Sequence, residues 1–161
     1  MSDRYTSRVF AAGLALYDRL AAASWPAHPV TGLIPDVSFG DEAPDLGAER
    51  ICIMLDVERT ETEWARLGAP GRDEAIVFDI VARSFVPVPN QTTRDVWLRL
   101  AALSAVVEGV VYNADTRRVI PLGFDGEVAV GRGSGAKPAV WPTPEGPMGA
   151  VVNTLDLLAN L

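Results

Sequence analysis

Between residues 7 and 23 apolar side chains return at helical spacing, at Val9, Phe10, Gly13, Leu14, Leu16, Tyr17 and Leu20, with Arg8, Asp18 and Arg19 outside the set. The pattern predicts an amphipathic helix. Trp25-Pro26 and His28-Pro29 end it, because a residue before proline is pushed out of the helical region. Residues 31–47 hold Pro35, Gly40, Pro44 and Gly47 and read as loop, with one short strand around residues 34–39. From 49 to 61 the period changes to two. Ile51, Ile53, Leu55 and Val57 share one face, and Cys52, Met54, Asp56 and Glu58 the other. A second long strand is expected over 73–86, with Ile76, Phe78, Ile80 and Ala82 opposing Val77, Asp79, Val81 and Arg83, and with Pro87 and Pro89 as its stop. The two strands are expected to pair as an antiparallel hairpin. Their connection, residues 62–72, is longer than the two to five residues usual for a hairpin.

Thr92 with Asp95 three positions on forms a capping-box pattern and opens a second helix to about Glu108, carrying Val96, Trp97, Leu100, Leu103 and Val107 on one stripe. Gly109 is the expected stop. Extended segments follow at Val119-Ile120-Pro121-Leu122 and Val128-Ala129-Val130. Gly131-Arg132-Gly133-Ser134-Gly135 and Pro138, Pro142, Pro144 and Pro147 read as flexible or turn-rich loop. The final run, residues 149–161, is read as strand, because Val151-Val152-Asn153-Thr154-Leu155 is rich in β-branched residues. The expectation is one α+β domain over residues 1–161, a mostly antiparallel sheet with two main helices packed on one face.

Charge changes the picture at one place. Nine acids and two arginines between Asp36 and Glu63 account for the whole formal net charge of −7, and Lys137 is the only lysine. Gripping nucleic acid requires clustered Lys and Arg, so that class is set aside. No uninterrupted apolar run approaches the roughly 18 residues of a membrane span, and none near Arg4 and Arg8 has the form of a secretory signal, so synthesis in a cytoplasm is expected. Cys52 is the only cysteine and His28 the only histidine. An intramolecular disulfide is thus impossible, Cys52 is expected to be a buried packing residue, and His28 a loop residue.

The candidate chemistry is thin. The segment Gly131-Arg132-Gly133-Ser134-Gly135-Ala136-Lys137 lacks the spacing of a phosphate loop, and Pro138 follows its lysine where a helix should open. Ser134 stands between glycines as in a hydrolase elbow, yet has neither a following helix nor a partner other than His28. The acids between residues 36 and 63 could pair for acid/base work or hold a hard metal ion, but they alternate outward or lie in loops, which reads as a solvated face. No catalytic residue, metal ligand or cofactor is expected. The 62–72 connection is more telling: Trp64 and Leu67 among Arg59, Arg66 and Arg72 have the composition of interface anchors, unless Trp64 folds back onto its own core.

The order of these features resembles the tail terminator proteins of long-tailed phages. The resemblance rests on the helix beginning Arg8-Val9-Phe10-Ala11-Ala12-Gly13-Leu14, the loop with Pro35 and Phe39, the strands near 51–59 and 74–85, the helix 94–109 and a closing strand 150–158. It spans nearly the whole chain without a diagnostic motif, and other head-to-tail joining proteins share much of the plan. It implies a non-enzymatic virion subunit that forms a homo-oligomeric, hexameric ring. One face would dock on the tail tube protein and stop its polymerisation, and the other would meet the head–tail connector or neck. DNA would pass through without specific binding. On that reading Trp64, Arg66, Leu67 and Arg72 form one assembly patch, and Arg132, Lys137 and Trp141 belong to a second. Asp41, Glu42 and Asp45 line the channel and repel phosphate. The alternatives are another neck or tube protein, a small metal-dependent enzyme or ligand-binding domain using the acids, or an adaptor that binds through the hairpin tip.

Overall fold

The structure, a computed structural model, describes residues 8–40, 48–64, 72–86, 91–112 and 130–160; of 61–64, 72, 73, 130–134, 159 and 160 the backbone alone is described. The elements run α1 (Val9–Ala22), β1 (Asp36–Phe39), β2 (Ala48–Leu55), β3 (Glu61–Trp64), β4 (Arg72–Phe85), α2 (Thr93–Val111), β5 (Val130–Thr143) and β6 (Gly146–Asn160). The fold is α+β, as the periodicity predicts. One mixed sheet has the order β1-β2-β4-β6-β5, with β3 also pairing β4, and every pairing is antiparallel except β1 with β2.

Register decides which residues form the core, because directly opposed residues share a face. Ile51 and Ile53 lie opposite Ala82 and Ile80, and these lie opposite Val151 and Asn153. With Ile76, Phe78, Leu155 and Leu157 they form one buried face, against which Ala12, Leu16 and Leu20 of α1 and Val96, Leu100, Leu103, Val107 and Val111 of α2 pack. Both helices therefore sit on one side of the sheet. The expected hairpin is present as β2 and β4. The first strand ends at Leu55 instead of running to 61: Thr60 N–H bonds back to the Asp56 carbonyl at 2.9 Å, Val57 is 75% exposed instead of sharing the buried face, and the chain resumes as β3, inside the expected connection, along the same edge of β4.

Each helix end has an identifiable cause. Arg8 provides no side-chain cap to α1. Instead its N–H donates to Glu74 Oε2 on β4 at 2.8 Å, placing a buried carboxylate at the positive end of the helix. At the other end the buried Trp25 donates its indole N–H to the Leu20 carbonyl at 2.8 Å. The Thr92–Asp95 capping box opens α2 as expected: Thr92 Oγ1 accepts the Asp95 N–H at 3.2 Å and Asp95 Oδ2 accepts the Thr92 N–H at 2.9 Å. Gly109 does not stop the helix, which runs on to Val111. Burial of Val111, 1% exposed, outweighs a glycine penalty of about 1 kcal/mol.

The main correction concerns residues 131–147, expected as loop. They are β5, a turn at Pro144-Glu145, and the start of β6. Gly133 pairs with Leu155 and Ala136 with Asn153, so β5 carries one extra residue at a bulge, where Gly135 takes φ +76°. Pro138 and Pro142 are tolerated because β5 ends the strand order, where an outward-facing N–H makes no ladder bond; Pro144 is in the turn, and Pro147 precedes Gly149, where the pairing of β6 with β4 begins. The short strand near 34–39 and the closing strand are present as β1 and β6. Residues 119–122, 128 and 129 lie outside the described residues.

Candidate assembly surfaces

The sequence-expected patches do not converge. The Trp64 backbone pairs with that of Arg72 at the last described ladder position before residues 65–71. Arg66 and Leu67 lie outside the described residues, as do Asp41, Glu42 and Asp45. Arg132, Lys137 and Trp141 stand on β5 opposite Asp156, Val152 and Met148. Trp141 is level with Phe85 at one end of β4, and Trp64 with Arg72 at the other. Thirteen strand residues of about 3.3 Å each separate the two tryptophans by about 40 Å. They therefore belong to different surfaces. Lys137 is exposed and Trp141 is 39% exposed.

Nor do the acids whose side chains are described gather into a site. Glu49, expected on a solvated face, is buried. Arg99 Nη2 and Nε donate to its carboxylate at 2.6 and 2.9 Å, and Arg99 also donates to the Pro26 carbonyl at 2.7 Å and, at 3.4 Å, to that of Ala27. This is a paired structural charge that ties α2 to β2 and to the loop after α1. His28 beside it is buried, and its Nδ1 accepts the N–H groups of Val30 and Thr31 at 3.2 and 3.4 Å. Burial lowers its pKa; Glu49 pulls the value up and Arg99 pushes it down. The imidazole is thus held neutral as an acceptor, organising a turn. Cys52 is fully buried, as expected. No group of three or more His, Cys, Asp or Glu side chains is placed to hold a metal ion among the described residues.

What the sequence reading missed is exposed apolar surface: beside single exposed side chains such as Val30, Leu33, Ile34 and Val57, the described residues form two concave apolar patches. The first is a groove of about 530 Å³ between α1 and the β1–β2 edge, lined by Val9, Phe10, Leu14, Phe39, Leu55 and Phe78 among others. Phe10 is 76% exposed, Leu14 50% and Phe39 46%; Tyr17 stacks on Phe39 with ring centroids 5.1 Å apart. Small-molecule sites of this size carry a few convergent polar side chains that fix the ligand. Every described side chain lining this groove is apolar, unlike such a site. The second is a hollow of about 270 Å³ between α2 and β5, walled by Trp97 and Pro138 over Ala101, Ala105 and Ala136, with Glu108 on its lining. Trp97 is 51% and Leu98 52% exposed.

A signal for both was present in the sequence. The apolar set of α1 is too wide for one stripe: Ala12, Leu16 and Leu20 face the core, while Phe10, Leu14 and Tyr17 form a neighbouring row. The stripe of α2 likewise includes Trp97 next to Val96, and adjacent residues cannot both point inward. The groove sits over β1, β2 and β4, and the hollow over β6 and β5, so one chain carries two different apolar surfaces toward opposite edges of one sheet. A scan against protein-family models and a search of curated proteins return no match to this chain.

Proposed function

We propose that this protein is a structural virion subunit, a ring-forming tail terminator that caps the tail tube of a long-tailed phage and offers the other face of the ring to the head–tail connector. The observation that carries the proposal is the pair of unlike apolar surfaces at the two edges of the sheet, the α1 groove and the α2–β5 hollow. Contiguous exposed apolar surface rimmed by polar residues marks interaction sites on soluble chains. Two different patches on one chain favour head-to-tail association, which closes into a ring when the rotation closes. The α+β fold, the resemblance in feature order and the excess of acid over base support the same reading. DNA would traverse the ring without being gripped, with Asp41, Glu42 and Asp45 as channel carboxylates.

The test is a tube-length assay. Tail tube protein is polymerised with increasing amounts of this chain, and tubes are sized by negative-stain microscopy. Shorter tubes with a ring on one end are expected. Unchanged lengths and bare ends would overturn the terminator role, and polymerisation of this chain alone into tubes would make it a tube subunit.

A further inference from the structure

We propose that His28 is a proton-sensitive latch: while neutral it holds the 28–33 turn closed, and its protonation opens the turn and loosens the edge strand β1 that follows. The inference stands on the geometry around the ring and does not depend on the assembly reading. Four hydrogen bonds of the turn run through this one residue. Its N–H donates to the Leu33 carbonyl at 2.8 Å, its carbonyl accepts the Gly32 N–H at 2.9 Å, and its Nδ1 accepts the N–H groups of Val30 and Thr31. An accepting Nδ1 leaves the imidazole proton on Nε2. A second proton, on Nδ1, turns that acceptor into a donor aimed at two donors.

The surroundings give an imidazolium no compensation in place. Among the described residues the charged groups that act on His28 are Glu49 on β2 and Arg99 on α2. Glu49 favours a cation, but Arg99 already holds both of its oxygens, Nε to Oε2 at 2.9 Å and Nη2 to Oε1 at 2.6 Å, and brings a like charge beside the ring. His28 is 4% exposed, so water does not solvate the new charge where it stands. Arg99 also fixes the chain just before the ring through the Pro26 and Ala27 carbonyls, so the chain yields on the other side, in the turn. The turn leads straight into β1, a weakly held strand: none of its four residues is buried, and it pairs with β2 alone. Phe39 of β1 is one wall of the α1 groove, so loosening β1 uncovers the backbone edge of β2 and opens that groove. Acid thereby remodels one edge of the sheet while the helices and the central strands stay in place.

His28 is the only histidine, so a single ring resonance reports its titration. An NMR titration from about pH 8 to 5 follows that ring and the backbone amides together, with amide exchange corrected for its intrinsic pH dependence. Burial holds the closed-state pKa below the ordinary 6.5, so opening takes up a proton. The open fraction should rise by up to about tenfold per pH unit below 6.5 and level off once the closed form also titrates. In wild type the amides of Val30, Thr31, Gly32 and Leu33 should shift with the midpoint of the ring and those of β1 should lose protection, while α2, β4 and β6 keep theirs. H28N places an oxygen where Nδ1 stands, as in an Asx turn, and carries no proton that titrates in this range; its turn and β1 amides should show no transition. A ring that titrates while the turn amides stay unmoved would overturn the latch. Turn amides that move while β1 keeps its protection would overturn the coupling to β1. A transition in H28N equal to that of wild type would overturn His28 as its cause. The wild-type titration decides the first two outcomes whether or not H28N folds.

Discussion

Removing either partner of the Arg99–Glu49 pair should be among the most damaging single changes. Arg99 is 7% exposed and Glu49 6%, and the guanidinium is shared between a carboxylate and two backbone carbonyls in the loop after α1. Truncating one member of such a pair leaves an uncompensated charge away from water, which costs about 3–5 kcal/mol. In R99M the Pro26 and Ala27 carbonyls are also orphaned, so that variant belongs at the upper end. For a chain of this length each kcal/mol lowers the melting temperature by about 2–4 °C, so a loss of the order of 10 °C is expected. The E49L/R99M double variant removes both charges and should cost clearly less than the two single changes together. The surface pair Arg59–Asp156 serves as control: at 3.3 Å with side chains 54% and 44% exposed, it should be worth no more than about 1 kcal/mol. Urea denaturation of the four variants measures all of this. A cost below about 1 kcal/mol for R99M, or one that shrinks by half between about 0.1 and 1 M salt, would refute the reasoning, since only solvent-exposed pairs are screened that way.

Three further outcomes follow from the packing. Gly149 lets α2 approach β6, and a Cβ there would stand 2.7 Å from Val96 Cγ1, 2.8 Å from Leu100 Cδ1 and 3.3 Å from the Ala139 carbonyl oxygen; G149A should cost about 1–3 kcal/mol in urea unfolding, whereas a neutral result would mean that α2 yields freely. His28 has its pKa lowered by burial from an ordinary 6.5, so the unfolded chain takes up a proton before the folded one. Stability should therefore fall as pH drops through about 6.5 and level off once the folded imidazole also titrates. The fall should be missing in H28Q, and identical urea midpoints for both chains across that window would contradict it. Buried Asn153 accepts a hydrogen bond from Ser104 Oγ at 3.2 Å while its Nδ2 has no partner. S104A alone should cost about 1–3 kcal/mol, and S104A/N153L should recover most of it; a double variant weaker than the single would show that Nδ2 is satisfied.

The long periodic elements were legible because one physical cause dominates each. The alternation of Ile51 and Ile53, or of Ile76, Phe78 and Ile80, is the burial of one sheet face, and the Thr92–Asp95 box closes on itself within four residues. β5 was illegible for an equally physical reason. Its glycines make a bulge and its prolines occupy an edge, and both uses write the same letters as a loop. Glu49 shares its face with Ile51, which could have placed it in the core, but its partner Arg99 is fifty residues away and no local pattern announces it. The exposed apolar surfaces were half visible. By spacing alone Phe10 and Leu14 belong to the core stripe of α1, and only packing reveals that this stripe is already filled by Ala12, Leu16 and Leu20. The hollow beside Trp97 needs α2 and β5 brought together from separate parts of the chain.

The central claim is that this chain acts through surfaces offered to copies of itself. Native mass measurement of the purified protein over a range of concentrations tests it most directly. One closed species containing a fixed number of 17.2 kDa chains, unchanged on further concentration, is the expected result. A lone monomer at every concentration would contradict the account.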